Sequence, residues 1–217
     1  MKLHDVQRAA VELFSARGFA ATGIREIGRQ VNLNSATLYH YTGSKEDLLD
    51  SIMRLALLEL EQAGREAVAR SQNPLDQLGH LVGAHVGITA VNPLTSRVID
   101  HELRALTLDR RAKMLEIRDS YEEVWTQVFA HGLANGAFQV TNIKITRLAI
   151  IEMCNGVANW YNPNGELPVL DIQKMLIDLS GRMIGVDCLW SRIDGELAPP
   201  ERFSVEPISS SSEDSGG

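Results

Sequence analysis

Between Thr22 and Lys45 the chain gathers side chains suited to meeting a nucleic acid. Ser35, Ala36 and Thr37 are small or polar, and they follow Asn34, whose side chain is a good helix N-cap. At the leading end of a helix such residues leave room to approach base edges in a major groove. Tyr39, His40 and Tyr41 come next, with hydroxyl and imidazole hydrogens able to reach backbone phosphates. Lys45 falls in the first turn of the following helical segment, where free N–H groups and the helix dipole also favour a phosphate. Arg25 and Arg29 add charge upstream, so this segment sets three basic residues (Arg25, Arg29, Lys45) against one acid, Glu26. The plainer alternative is that Tyr39 and Tyr41 are half-buried helix aromatics and Arg29 a solvated surface arginine.

Catalytic constellations are not found. His80 and His85 are five apart, not the four that would align two ligands on one helix face. His101-Glu102 is a lone pair, and neither a Gly-rich phosphate loop nor a nucleophile elbow occurs. Two cysteines, Cys154 and Cys188, are too few for a disulfide framework or a cysteine zinc site and suit a reducing compartment. An enzyme is therefore not expected, nor a metal or cofactor. The formal charge of -7 argues against a binder basic throughout, but not against one small basic face. The start Met1-Lys2-Leu3-His4-Asp5 lacks a signal-peptide apolar run, and no stretch nears the ~18 apolar residues of a membrane span. A soluble, cytoplasmic protein is expected.

The elements that must position these groups read as about nine helices and no strand, an all-α fold. Val6, Ala9, Ala10, Leu13 and Phe14 recur at helical spacing, and Gly18 sits where a left-handed residue would end that helix, with Phe19 folding back. Ile24, Ile27 and Val31 mark a second short helix, which Asn32-Leu33-Asn34 breaks. A third runs from Ser35 to about Tyr41 with Leu38 inward. Ser44 and Asp47 bracket the start of a long fourth helix, which continues to about Arg70. Further helices are expected at about 74–91, 94–106, 108–134, 142–160 and 168–186. In the last, Ile172, Leu176, Leu179, Met183 and Val186 form a seam for helix packing. Residues 1–47 are assigned to a helix-turn-helix domain, 48–187 to a ligand-binding and dimerisation domain, and 188–217, with Pro199-Pro200 and a Ser-rich end, to a flexible tail.

The N-terminal segment resembles the tetracycline-repressor (TetR) family of transcription regulators. Ala10-Val11-Glu12-Leu13-Phe14-Ser15-Ala16-Arg17-Gly18-Phe19-Ala20-Ala21-Thr22 is similar to its first helix and turn, and Ile24-Arg25-Glu26-Ile27-Gly28 to its second helix. Thr37-Leu38-Tyr39-His40-Tyr41, followed by Ser44-Lys45-Glu46-Asp47-Leu48-Leu49, is similar to its recognition helix and the entry to the fourth. The chain departs from the family habit at Asn32, Ser35, Thr42 and Gly43. The resemblance implies contacts with double-stranded operator DNA from Thr22, Arg25, Ser35, Ala36, Thr37, Tyr39, His40, Tyr41 and Lys45. It also implies a homodimer on a near-palindromic operator and a small-molecule effector bound in the C-terminal helices. The leading expectation is then a repressor that its effector releases from DNA, with activator and corepressor behaviour as the alternatives the sequence leaves open.

For the effector cavity the candidates are His85, His101, Arg118, Tyr121, Trp125, Cys154, Asn155, Asn159 and Trp160, polar or aromatic groups among apolar walls. Each has a structural alternative, such as Trp125 and Trp160 as core anchors or Arg118 pairing with Glu122 one turn on. The last two long helices hold more apolar surface than one buried face requires, together with small residues (Ala149, Gly156, Ala158, Ser180, Gly181), which suits a four-helix interface between two subunits. Asn92-Pro93-Leu94, His101-Glu102-Leu103-Arg104 and Trp160-Tyr161-Asn162-Pro163 resemble family members that respond to acyl-CoA thioesters and lipid or steroid catabolites. A bulky apolar effector, with or without a CoA moiety, follows from that resemblance; a DNA-binding regulator without effector sensing is the alternative.

Overall fold

A computed structural model describes residues 3–162 and 165–207. Among them it holds ten α-helical segments and no strand. The first three are short: α1 (Leu3–Arg17), α2 (Ile24–Gln30) and α3 (Ser35–Thr42). Local chemistry sets their ends. Gly18 takes φ +81° and its N–H donates to Phe14 O at 2.8 Å, and the Phe19 ring lies 5.3 Å from that of Phe14. Asn32 adopts φ +56°, the left-handed turn that asparagine tolerates. Gly28 is required by closeness, since an added Cβ would stand 2.8 Å from Leu33 O. Asn34 Oδ1 accepts from Thr37 N at 2.9 Å and starts α3.

The long α4 (Lys45–Ala69) opens on a complete capping box: Ser44 Oγ accepts from Asp47 N at 3.0 Å, and the Asp47 carboxylate accepts from Ser44 N at 2.6 Å. Asp serves here as well as the commoner Glu. Leu48, Leu49, Ile52 and Met53 on α4 complete the apolar core beneath α1–α3. The expected boundary at residue 48 therefore falls inside a continuous helix that serves both regions.

Next come α5 (Pro74–Val91), α6 (Pro93–His101), a 3-10 turn at Leu103–Ala105, α7 (Leu108–Ala134), α8 (Ile143–Asn155), α9 (Val157–Trp160), α10 (Val169–Met183) and a second 3-10 turn at Leu189–Arg192. The central α5 is buried on nearly every side and packs against α4, α7 and α10. Two expected helices are interrupted. The one expected over 94–106 ends at His101 and resumes as a 3-10 turn. The one over 142–160 divides at Gly156, giving α8 and α9. The expected seam on α10 also splits: Ile172 and Leu176 face the chain's own core, while Leu179 and Met183 face solvent.

The largest correction concerns residues 188–207, expected as tail. They form a strap bound across α4, α5 and α6. Phe203, Val205 and Glu206 are buried. The α5 surface beneath carries Gly79, Gly83 and Gly87, one every four residues. A Cβ at Gly79 would meet Ile193 Cγ2 at 2.6 Å, one at Gly83 would meet Leu197 Cδ2 at 2.6 Å, and one at Gly87 would meet Pro200 Cβ at 3.0 Å. The glycines thus make a groove for the strap. Asn92 fastens it: Oδ1 accepts from Phe203 N at 2.6 Å and Nδ2 donates to Glu201 O at 2.9 Å. The Ser-rich residues 209–217 lie outside the described residues.

Candidate nucleic-acid interface and effector cavity

The N-cap at Asn34 holds α3 with its leading end outward. Ala36, Tyr39, His40 and Tyr41 are exposed, Ser35 and Thr37 half-buried, and Leu38 anchors the opposite face in the core. Tyr39 and Tyr41 are 50% and 48% exposed, which fits the half-buried aromatics of the plainer alternative and also leaves their hydroxyls open to a phosphate. Arg25 and Arg29 are exposed on α2, and Arg17 is paired with Glu26. The groups expected to meet bases and phosphates from α3 are therefore accessible, with Tyr39 and Tyr41 about 200° apart around the helix, as suits contacts with the two walls of a groove.

Two residues of that set turn inward. The Thr22 side chain is buried, and its hydroxyl donates to Gly18 O at 2.9 Å, bracing the turn after α1. Lys45 Nζ donates to Phe19 O at 2.7 Å and to Thr22 O at 2.8 Å, and it stands 4.1 Å from the Phe19 ring centroid. Desolvation holds this ammonium below the usual lysine range, opposed by Glu102. The reason is geometric: the first turn of α4 passes over the turn that follows α1, and the ammonium meets the carbonyls of residues 19 and 22 there, the first of which also accepts from Thr22 N.

In the C-terminal helices the candidates divide into three groups. His85, Tyr121 and Asn155 come together. His85 Nε2 lies 2.9 Å from Asn155 Oδ1, an oxygen that can only accept, so Nε2 carries the hydrogen. Nδ1 is then the acceptor of the Tyr121 hydroxyl at 3.0 Å. Burial depresses the His85 pKa to about 4 and pushes the Tyr121 hydroxyl up, so both are neutral. Arg118 joins them at a cavity edge beside Asp100. It does not pair with Glu122, which instead accepts from Arg147 of α8 at 3.1 Å. Trp125 and Cys154 are wholly buried: Trp125 stacks edge-on against His85 at 5.9 Å, its Nε1 without a hydrogen-bond partner, and burial raises the Cys154 thiol pKa. His101, Asn159 and Trp160 are exposed and line no cavity, Trp160 being 56% exposed; they are surface residues.

The space around the first group is small. One cavity of about 30 Å³ touches His85, Ser96, Asp100, Asn155 and Phe203, and a second of about 50 Å³ touches Asp100, Arg118, Tyr121 and Asn155. Sequence reasoning missed Ser96, Ile99 and Asp100 of α6 and Phe203 of the strap as cavity walls. No motif marks them, but the glycines at 79, 83 and 87 facing an apolar Ile193-x-x-x-Leu197-x-x-Pro200 pattern were a readable sign that something packs on α5.

Around this cavity α6 is tied to the N-terminal helices. Arg97 donates to Ser15 Oγ on α1 at 3.2 Å and to Ala158 O on α9 at 3.1 Å. Thr107 N donates to Glu46 at 2.7 Å, and Arg110 of α7 pairs with Asp47. The Asp47 carboxyl is held down to about 2 by the Ser44 backbone N–H first and Arg110 second. On the far side, Ile145 of α8 and Leu170, Met175, Leu179 and Met183 of α10 are exposed.

Comparison with known proteins matches the profile "Bacterial regulatory proteins, tetR family" at residues 7–52 and "Tetracyclin repressor-like, C-terminal domain" at residues 71–184. The "HTH-type transcriptional repressor KstR2" of Rhodococcus jostii is 26% identical over 172 residues, covering 78% of this chain and 84% of that protein. The "Fatty acid metabolism regulator protein" of Bacillus subtilis is 24% identical over 180 residues, 82% of this chain and 93% of that protein. A solved tetR-family regulatory protein from Rhodococcus RHA1 superimposes with TM-score 0.80 at 28% identity, covering 86% of this chain and 98% of that one. Among the described residues no helix is long and apolar enough to cross a membrane. With both profiles in order, one on the helix-turn-helix and one on the helical body, this chain belongs to the tetR family of bacterial regulatory proteins, DNA-binding transcription regulators rather than enzymes.

Proposed function

We propose that this chain is a cytoplasmic, dimeric repressor that binds a near-palindromic operator and is released from it by a small, largely apolar effector. The observation that carries the reading is the outward leading end of α3, capped by Asn34, with Tyr39, His40 and Tyr41 exposed around the helix beyond it. Bases are read by Ser35, Ala36 and Thr37; phosphates are met by Tyr39, His40, Tyr41 and Arg25. In this reading Thr22 and Lys45 build the turn that supports the helix-turn-helix.

The exposed apolar side chains of α8 and α10 support a two-fold interface that sets two α3 helices one DNA turn apart. The neutral Tyr121–His85–Asn155 chain, bordered by Arg118 and Asp100, supports an effector site whose polar groups sort ligands by hydrogen bonding. The name of the fatty acid metabolism regulator supports a lipid catabolite as effector, and the titles of two structures similar in fold, a ketosteroid transcriptional regulator and AibR in complex with isovaleryl coenzyme A and operator DNA, support a steroid catabolite or an acyl-CoA. For a complete switch the effector must prefer the DNA-incompetent state about 10⁴-fold.

Genomic operator selection followed by a gel shift tests the DNA half. Thr37→Ala is expected to change base preference at one position of each half-site, whereas loss of binding to no selected sequence would count against α3 as the reading helix. Titrating acyl-CoAs, fatty alcohols and sterols into the operator complex tests the effector half; retention of DNA through the whole panel would leave a regulator without effector sensing.

A further inference from the structure

The cavities around His85 are an order of magnitude smaller than the roughly 300–1,000 Å³ that ligand pockets occupy. Ligand-sized space lies elsewhere. Between α4, α5 and the strap runs a groove of about 350 Å³, walled by Leu55, Leu58, Ala67, Ala84 and Pro199. A second space of about 300 Å³ adjoins it, and the two share Glu59, Ala63, Ile88 and Glu201. Ile88 and Phe203 line this second space and also the small cavity at His85. They are therefore the partition between groove and cavity.

The wall on the strap side belongs to this chain's own C-terminal segment. The matched C-terminal family profile ends at residue 184, and the strap begins after it. It is nevertheless firmly built. The Glu206 carboxylate accepts from Thr95 N at 2.8 Å and Leu94 N at 3.2 Å at the start of α6, and Glu59 accepts from Ser204 N and Oγ at 3.1 and 2.7 Å. A buried acid on the leading N–H groups of α6 places the strap's end on the helix that reaches α1.

The charges bordering the two spaces choose among ligands. Glu59, Glu66 and Glu201 stand against Arg70 and Arg202, and both guanidiniums already donate to carbonyls, Arg70 to Glu196 at 3.1 Å and Arg202 to Pro207 at 3.3 Å. Three carboxylates against two guanidiniums leave this rim net negative, which disfavours an anion relative to a neutral ligand. We propose that the strap groove is a ligand site for an elongated apolar molecule without negative charge, and that Phe203 is the door between that site and the cavity at His85. This rests on the effector reading above and sharpens it: a neutral lipid fits the groove, and a CoA thioester does not. A ligand that moves Phe203 also pulls on Glu206 and so on the start of α6.

The test uses full-length protein and three neutral or charged probes of one chain length: undecanol, undecanoate and bromoundecanol. Calorimetric titration should show undecanol binding at least about tenfold tighter than undecanoate. Ala63→Phe and Ala84→Phe, which fill the groove, should weaken undecanol at least about tenfold, and Phe203→Ala should tighten it. Should the filled variants fail to fold, Leu58→Trp places a reporter on a wall residue that is 42% exposed. Its emission should be quenched by bromoundecanol beyond the quenching of Trp125, Trp160 and Trp190 in the parent protein. Unchanged undecanol affinity in the folded filled variants, equal affinity for undecanoate, or no added quenching at Leu58→Trp overturns the groove. Operator release is scored separately. Binding in the groove without release sinks the effector reading alone; release by undecanol with unaltered binding in the filled variants sinks the groove alone.

Discussion

Replacing Lys45 by alanine separates two roles that sequence alone leaves merged. If its ammonium meets a phosphate, the loss removes one counterion-releasing contact, and the slope of log K against log salt falls by about 0.9. The structure assigns the ammonium to Phe19 O and Thr22 O, with the Phe19 ring beneath. Hydrogen bonds to a charged group contribute about 1.5–3 kcal/mol each when buried. This one is half-buried, so about 1 kcal/mol each is appropriate, with about 0.5 kcal/mol from the ring at an exposed site. Lys45→Ala should therefore destabilise the fold by about 2–3 kcal/mol. It should weaken every DNA sequence alike by loosening the turn between α1 and α2, and leave the salt slope within a few tenths of the parent value. Urea unfolding gives the first quantity, and operator anisotropy over a potassium chloride series gives the second. A slope lowered by about one, with unfolding unchanged, would refute the inward assignment and return Lys45 to the phosphate contacts.

Three further outcomes are expected. Asn34→Ala removes the side-chain cap of α3 and should cost about 1 kcal/mol in urea unfolding together with a loss of operator affinity; a stable variant with parental affinity would detach that cap from DNA reading. Leu179→Glu puts a charge on the exposed apolar face of α10 and should shift the proposed dimer to monomer in analytical ultracentrifugation, collapsing operator affinity; a dimer that persists would move the interface elsewhere. His85 in the fold titrates near pH 4, below its ordinary 6.5, so over that window the unfolded chain holds a proton the folded chain lacks. Stability should thus fall as pH drops from about 6.5 to about 4, by up to about 3 kcal/mol, and this component should vanish in His85→Gln; equal pH profiles for the two proteins would place His85 in a wetter setting.

What was legible in the sequence was local. Gly18, Asn32, Asn34, Ser44 and Asp47 each act within four residues of themselves, through a left-handed turn or a cap, so their roles follow from residue type and spacing. The order of helices followed from the same rules and from periodicity. What escaped depends on distant neighbours. Whether Lys45 points out or in is decided by the carbonyls of residues 19 and 22, which the path of α1 brings beneath it. Polar composition and Pro199-Pro200 made the C-terminal segment look unanchored, yet Ile193, Leu197, Phe203 and Val205 find their partners more than a hundred residues back, on α5 and α6. Among the ligand candidates, histidines and aromatics were equally plausible on composition. Only packing put His85, Tyr121 and Asn155 in hydrogen-bond contact and left His101, Asn159 and Trp160 on the surface.

The position of α6 gives these separate features a common mechanical element. Its first N–H groups hold Glu206 of the strap, and its Ser96, Ile99 and Asp100 face the cavity with His85 and Asn155. Its Arg97 bonds Ser15 on α1, while Glu102 at its end stands beside Gly18 and within electrostatic reach of Lys45. A helix of nine residues is about 13 Å long and moves as one body, so a displacement at its strap end cannot be absorbed within it. Its middle is thus bonded to the last turn of α1, and the residue after its far end lies against the turn that Thr22 and Lys45 brace. That turn sets the angle of α2, against which α3 is packed through Leu38 and Gly28. A ligand needs only to favour a different seat for the start of α6 to change the presentation of α3, without touching any residue that meets DNA.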